Sequence, residues 1–232
     1  MKLINLPNII TCCNLLCGCL SIFYGFHDQI DLACLFIVAG AVFDFFDGMT
    51  ARALHISGPI GKELDSLADV VSFGIAPSVL CYVIVRNIGG SEMLALSSFI
   101  MAAFSALRLA KFNCDERQTT SFIGLPTPAN ALFWIGLSYV AKLPQFEFLC
   151  NPYIILALML VLSVLLISEI PMFSLKIKPG HMGIGENIVR YSFLAATVVL
   201  IAVFAIIGQV QASPAVIILL YIVLSAVSAK RQ

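Results

Sequence analysis

Apolar runs of about the length that crosses a bilayer as a helix recur along nearly the whole chain. A helix satisfies its own backbone hydrogen bonds, and roughly 20 apolar residues are enough to span the hydrocarbon. The composition agrees, since 60% of the 232 residues are hydrophobic and 11% are charged. Soluble domains have about 45–50% apolar and about 25% charged residues. The chain is therefore predicted to be an integral membrane protein with no separate soluble domain.

The predicted fold is an all-α membrane bundle of about eight transmembrane helices, with residues 1–232 as a single domain. The predicted spans cover residues 8–26, 30–51, 63–85, 93–112, 126–143, 153–168, 190–207 and 212–229. With the N-terminus in the cytoplasm, eleven of the thirteen Lys and Arg residues fall on the cytoplasmic side, and Arg86 and Lys142 fall on the other. Because cytoplasmic segments carry an excess of Lys and Arg, both termini are predicted to be cytoplasmic.

The N-terminal segment has a second interpretation. A lysine, an apolar stretch and the sequence LCGC at residues 16–19 are also features of a lipoprotein signal peptide. A retained first helix with a polar face is favoured, because four residues interrupt the apolar region: Pro7, Asn8, Thr11 and Asn14. The eight cysteines form no CxxC pair and are predicted to be small buried hydrophobic residues.

Residues 44–69 form an unusually acidic stretch for so apolar a chain. Its aspartates are Asp44, Asp47, Asp65 and Asp69. The first two share a helix face with Gly48 and Ala51 at the cytoplasmic end of the second span, by their spacing of three, four and seven. The last two follow Gly61 at spacings of four, at the start of the third span. Two small, acidic helix faces are therefore predicted to meet at the cytoplasmic surface.

Four carboxylates in this position need compensation. Acidic side chains within membrane spans face the bundle interior or a water-filled cavity and pair with a cation. Arg52 and Lys62 cannot offset all four charges, so a divalent metal is the natural counter-ion. Magnesium or manganese suits carboxylate oxygens combined with substrate phosphates. A salt-bridged, solvated turn is the alternative, but it does not account for glycine and alanine on the same faces.

The spacing DxxDGxxARx8GxxxDxxxD resembles the signature of the CDP-alcohol phosphatidyltransferases. It is complete here at Asp44, Asp47, Gly48, Ala51, Arg52, Gly61, Asp65 and Asp69. Further segments resemble the phosphatidylserine synthase branch of that family: SFGIAPS at 72–78, RLAKFN at 108–113, FIGLPTPA at 122–129 and SEIPMFSLK at 168–176. Met172 departs from the resemblance, which would place an aromatic residue there.

The resemblance implies transfer of the phosphatidyl group of CDP-diacylglycerol to L-serine, with release of CMP. It implies that Asp44, Asp47 and Asp65 bind two Mg²⁺ or Mn²⁺ ions, and that Asp69 lies near the metals and acts as general base. The residues implied to give the nucleotide room and to hold a phosphate are Gly48, Ala51, Arg52 and Gly61. A homodimer among the lipids of the cytoplasmic (inner) membrane, with its active site facing the cytoplasm, is also implied.

Two groups of residues keep alternative interpretations. Asn8 and Thr11 begin the first span at the level of the acidic stretch, where a nucleotide contact, a helix cap and an interhelical hydrogen bond are all open. Arg108, Lys111 and Asn113 lie at the cytoplasmic end of the fourth span. They are candidates for binding the serine carboxylate, but the positive-inside rule alone would also explain the two cations.

Two rival functions remain at this point. The signature concerns the donor half only, so glycerol phosphate and inositol phosphate stay open as acceptors. A carboxylate-based ion transporter is the second rival, although a transporter would scatter its acids over several spans. No basic run indicates nucleic acid as a partner.

Overall fold

The computed structural model describes residues 4–56, 58–115, 122–173 and 184–229. Its α-helices are α1 (Leu6–Phe26), α2 (Ile30–Ala53), α3 (Pro59–Asp69), α4 (Ala76–Asn87), α5 (Glu92–Leu96), α6 (Ile100–Cys114), α7 (Thr127–Val140), α8 (Pro152–Ile167), α9 (Ile184–Ile206) and α10 (Ser213–Ala229). A π-helical segment, Val70–Ile75, joins α3 to α4. Short 3₁₀ segments cover Ser97–Phe99, Pro144–Leu149 and Val210–Ala212. The two-residue strands β1 (Phe122–Ile123) and β2 (Pro171–Met172) pair antiparallel.

The predicted polytopic, all-α membrane fold is confirmed. Among the described residues, six helical stretches are long and apolar enough to cross a membrane: Leu6–Phe26, Ile30–Ala53, Pro59–Asn87, Glu92–Cys114, Val189–Ile206 and Val210–Ser228. The two other predicted spans are helices too, but α7 has 14 residues and α8 has 16. Both fall short of the roughly 20 residues of a full crossing, so the count of eight remains a prediction.

The spans differ greatly in how much of their surface the bundle covers. The stretch Pro59–Asn87, which contains α3 and α4, is 83% buried over its most apolar window, whereas Val189–Ile206 of α9 is 6% buried. Apolar side chains such as Val198 and Ile206 point outward from α9, as expected for a helix in contact with lipid tails. The acidic stretch therefore continues into the most central span of the protein.

The turn between α2 and α3 brings two helix ends to the same level. α2 ends at Ala53, and His55 adopts a φ of 53°, in the left-handed region that few side chains favour. α3 begins at Pro59, because proline needs no N–H partner in the first turn of a helix. The third helix thus starts four residues before the predicted residue 63, and the second half of the signature is helical throughout.

Small residues allow the first three spans to approach one another closely. A Cβ added to Gly18 of α1 would lie 2.9 Å from the Cα of Ser72 in the π-helical segment. A Cβ added to Gly40 of α2 would lie 2.9 Å from Oδ1 of Asn14 on α1. Membrane helices commonly pack through such small residues. A larger side chain at Gly18 would press on the backbone of Ser72, whereas one at Gly40 would first meet the side-chain amide of Asn14.

The C-terminal helix belongs to the same packed bundle. A Cβ added to Gly136 of α7 would lie 2.8 Å from the Cβ of Ala215 on α10. The hydroxyl of Tyr221 on α10 donates a hydrogen bond of 3.0 Å to the carbonyl of Phe173, just after β2. Since β2 follows α8, this bond joins α10 to the middle of the chain. α10 also packs against α9, its neighbour in the sequence.

Candidate active site

Three of the predicted acidic residues converge at one place. Asp44 and Asp47 project from the last turns of α2, and Asp65 projects from α3. One carboxylate oxygen from each lies within 4.8 Å of the others. The facing arrangement arises because α2 and α3, joined by their turn, both pack against α1. We call these three residues the aspartate trio.

The aspartate trio has the properties of a site for a hard divalent cation. The Asp47 side chain is buried, and its Oδ2 atom has no hydrogen-bond partner among the described residues. A buried carboxylate oxygen without a partner is costly, and the cost falls if the oxygen binds a metal. Three carboxylates also match the all-oxygen ligand preference of Mg²⁺ and Mn²⁺. The residues present therefore fit a divalent metal.

Asp69 lies beside the trio rather than within it. Its side chain is 8% exposed, and it interacts electrostatically with both Asp44 and Asp65. Its Oδ1 atom accepts a hydrogen bond of 3.4 Å from the side-chain amide of Asn14 on α1. Asp47 is equally buried, so what distinguishes Asp69 is the hydrogen bond from Asn14 and its position directly before the π-helical segment.

A cavity of about 660 Å³ opens next to the trio, between the start of α1 and the turn that joins α2 to α3. The predicted site residues that line it are Asn8, Thr11, Asp47, Gly48, Ala51, Gly61 and Asp65. At Gly48 the space is open, since no atom lies within 4 Å of an added Cβ. The glycines of the signature thus border a space of the size typical for a small-molecule site.

Arg52 is placed differently from the other nucleotide-site candidates. It is exposed and lines a second cavity of about 350 Å³ together with Ala51, His55 and Ile56. Ala51 and Ile56 also line the larger cavity, so the two spaces adjoin. Arg52 therefore lies next to the larger cavity, but it is not one of the residues that form its wall.

The start of α1 resolves part of the question about Asn8 and Thr11. The side chain of Asn5 caps the helix by accepting a 2.9 Å hydrogen bond from the Asn8 backbone N–H. The Thr11 hydroxyl donates to the carbonyl of Pro7 at 3.1 Å, within its own helix. The cap is thus Asn5, and both candidate side chains line the larger cavity. The sequence expectation does not include Asn5, although Asn followed by Leu-Pro is a recognisable helix start.

Lys62 and Asn113 connect α3, which carries Asp65 and Asp69, to the end of α6. Lys62 lines the larger cavity, and its ammonium donates to the backbone carbonyl of Asn113 on α6 at 2.8 Å. The Asn113 side chain in turn donates to the hydroxyl of Ser66 on α3 at 2.8 Å. The sequence indicates Lys62 only as a counter-charge, because no local pattern reveals that α6 ends against α3.

Arg108 and Lys111, three residues apart on α6, have different environments. Arg108 is 6% exposed and donates to the Thr127 hydroxyl at 3.4 Å. Its Nε has no hydrogen-bond partner among the described residues, and the guanidinium interacts electrostatically with Asp69. Lys111 instead pairs with Glu169 and donates to the carbonyl of Ile167. Only Arg108 therefore faces the interior beside the acids.

Comparison with known proteins places the sequence among related ones. The sequence pattern of the CDP-alcohol phosphatidyltransferase family matches residues 4–175. A Bacillus subtilis protein named CDP-diacylglycerol–serine O-phosphatidyltransferase is 39% identical over 135 residues, which cover 58% of this chain and 75% of that protein. Proteins of the same name from Helicobacter pylori (strain 26695) and Methanocaldococcus jannaschii are each 35% identical, over 71% and 73% of this chain and 70% and 74% of theirs.

The aspartate trio leads to a prediction about metal binding. We expect Asp47→Asn and Asp65→Asn each to weaken Mn²⁺ binding about tenfold or more, because each removes a charged ligand from a small set. Electron paramagnetic resonance of the purified protein, titrated with Mn²⁺ in detergent, measures this directly. The matched control is Glu63→Gln. Glu63 is an exposed acid on α3, the helix of Asp65, and it lies outside the trio. Equal affinities for all four proteins would contradict a metal site at the trio.

Proposed function

The chain belongs to the CDP-alcohol phosphatidyltransferase family, and we propose that it transfers the phosphatidyl group of CDP-diacylglycerol to L-serine, giving phosphatidylserine and CMP. Family membership makes it a phosphatidyl-transferring enzyme. The relatives described above, named for serine as acceptor, support the choice of alcohol. The observation that carries the proposal is the aspartate trio beside a cavity bordered by the glycines of the signature.

The proposed metal site contains all four signature aspartates and two ions, Mg²⁺ or Mn²⁺. Asp44, Asp47 and Asp65 would provide the ligand oxygens, and Asp69 would lie near the ions and add its negative charge to the site. When bound, the metals would neutralise the diphosphate and stabilise an in-line displacement at phosphorus. The trio geometry and the unpartnered buried oxygen of Asp47 among the described residues support this assignment.

Asp69 is proposed to be the general base. A serine hydroxyl is a weak nucleophile until a positioned base accepts its proton. As the serine oxygen bonds to the phosphatidyl phosphorus, the bond from that phosphorus to the CMP oxygen breaks, and the proton passes to the Asp69 carboxylate. Its burial beside both the trio and Arg108 supports this role, since the base must lie where metal-bound phosphate and acceptor meet.

The cytidine nucleotide is proposed to occupy the cavity of about 660 Å³. Gly48 and Gly61 would leave room for it, with Asn8 and Thr11 contacting it from α1. Arg52, at the adjoining cavity, is proposed to hold a phosphate from that side, because a guanidinium matches phosphate oxygens well.

Arg108 is proposed to bind the serine carboxylate. Its guanidinium is buried close to Asp69, so an acceptor held there would present its hydroxyl to the base. Lys111 and Asn113 are engaged with Glu169 and Ser66, which supports a role for both in holding the end of α6 in place, and their part in acceptor binding stays a prediction. Glycerol phosphate or inositol phosphate would offer Arg108 an anion too, so the acceptor has to be decided by assay.

The cellular setting is part of the proposal. The excess of Lys and Arg on one side supports an active site facing the cytoplasm from the inner membrane, where CDP-linked lipid and water-soluble serine can both reach it. The packing of α10 on α7 supports one domain over residues 1–232. The homodimer rests on resemblance to the family, and cross-linking in native membranes would test it.

The function is tested by the purified protein in detergent micelles containing CDP-diacylglycerol. We expect CMP release with Mg²⁺ or Mn²⁺ that depends on L-serine, stops with EDTA and returns when metal is restored. Glycerol phosphate and inositol phosphate, tested in parallel, should support much less release. Preference for either of them would overturn serine as acceptor, and metal-independent ion flux in liposomes without CMP formation would favour the transport alternative.

Replacing the base should stop turnover without emptying the site. We expect Asp69→Asn to lower kcat by about a thousandfold or more, since loss of general base catalysis alone costs about 10² to 10⁴. Nucleotide binding, measured by displacement of a fluorescent cytidine diphosphate lipid, should remain detectable. A kcat close to that of the unchanged protein would remove Asp69 as the base.

Arg108 and Lys111 allow the acceptor role to be separated from the effect of positive charge on topology. Arg108→Gln should raise the KM for serine by about tenfold or more, because a charged hydrogen bond to the carboxylate is lost, and should leave the KM for CDP-diacylglycerol nearly unchanged. Lys111→Gln removes the same charge from the same helix end and serves as the control. Equal effects of both changes on the serine KM would contradict the assignment.

A further inference from the structure

Asn14 on α1 is the polar neighbour of Asp69 that the signature does not include. Its side chain is fully buried, and its amide nitrogen donates to Oδ1 of Asp69 at 3.4 Å. Its own Oδ1 has no hydrogen-bond partner among the described residues. An unpaired polar atom in a buried amide lowers the stability of the fold. Stability alone therefore does not explain an asparagine at this position.

The surrounding helices hold Asn14 in one place. The hydroxyl of Ser72 donates to the Asn14 backbone carbonyl at 2.9 Å. Gly40 lies against the Asn14 amide oxygen, where an added Cβ would approach to 2.9 Å. Gly18, one turn along α1, lets the helix approach Ser72. Contacts from α2 and from the π-helical segment thus restrict the orientation of the amide that reaches Asp69.

We propose that Asn14 is a positioning residue, whose amide holds Oδ1 of Asp69 so that the other carboxylate oxygen is directed to the acceptor hydroxyl. This inference rests on the proposed function of Asp69 as general base. A carboxylate can rotate about its Cβ–Cγ bond, and efficient proton transfer requires the accepting oxygen within hydrogen-bond reach of the proton. A fixed donor on one oxygen restricts that rotation. The π-helical segment directly after Asp69 brings Ser72 to the Asn14 carbonyl, so α1 is secured at this level.

Asn14→Leu tests the proposal, because leucine is similar in size but has no donor. We expect its kcat to fall about 10- to 100-fold, as for loss of a hydrogen bond to a charged group. The KM for CDP-diacylglycerol and the Mn²⁺ affinity should stay within about twofold of the unchanged protein. A purely structural role would instead lower the melting temperature and weaken both binding measurements together.

A second variant covers the case in which Asn14→Leu does not fold. Gly40→Ala keeps every polar atom and displaces only the Asn14 amide, so we expect a smaller fall in kcat, about threefold to tenfold, again with little change in Mn²⁺ affinity. The matched control is Ser21→Ala, which removes a buried hydrogen bond of 2.8 Å from the same helix to the carbonyl of Ala33. Its kcat should stay within about twofold of the unchanged protein.

The outcomes separate this inference from the function on which it rests. Full kcat in Asn14→Leu or, if that protein does not fold, in Gly40→Ala overturns the positioning role while leaving the proposed reaction intact. The positioning role is also overturned if Ser21→Ala lowers kcat by as much, or if the variant that lowers kcat weakens Mn²⁺ binding to the same degree. If the unchanged protein shows no turnover with any alcohol, the proposed function fails and the inference fails with it.

Discussion

The need to compensate negative charge inside a membrane bundle governs the architecture around the aspartates. Carboxylates are tolerated at such positions only when they face an interior cavity and are paired. Asp44, Asp47 and Asp65 satisfy the first condition, since α2 and α3 direct them to one point beside a cavity. A divalent cation would satisfy the second. The same feature that is costly for the bundle without metal would thus become a means of binding a diphosphate.

Close approach of the helices is the second requirement, and small residues provide it. Gly18, Gly40 and Ser72 allow α1, α2 and the central span to meet with a buried polar contact between them. The largest buried fraction among the spans belongs to Pro59–Asn87. Asp69 lies where that span enters the bundle, whereas Asp65 lies in the part of α3 that is only half-buried.

The site is built from separate parts of the chain with separate tasks. The proposed donor half lies within one turn and its flanking helices, near Gly48 and Gly61. The proposed acceptor half depends on α6, where Arg108 reaches Thr127 of α7 and approaches Asp69. Hydrogen bonds from Lys62 and to Ser66 tie Asn113 to α3. This separation agrees with a family that keeps one donor chemistry and varies the alcohol.

The sequence by itself determined the class of fold, the positions of the helices and the acidic stretch. These follow from hydropathy and from spacings of three and four residues, which are local properties of a helix. Only the tertiary structure decided that Asp69 lies beside the trio, that Arg52 borders a second cavity, and that Arg108 turns inward while Lys111 pairs at the edge. It alone revealed the contact between Asn14 and Asp69, which lie 55 residues apart. Such contacts depend on how helices pack and rotate against one another, and no spacing along a single helix encodes that.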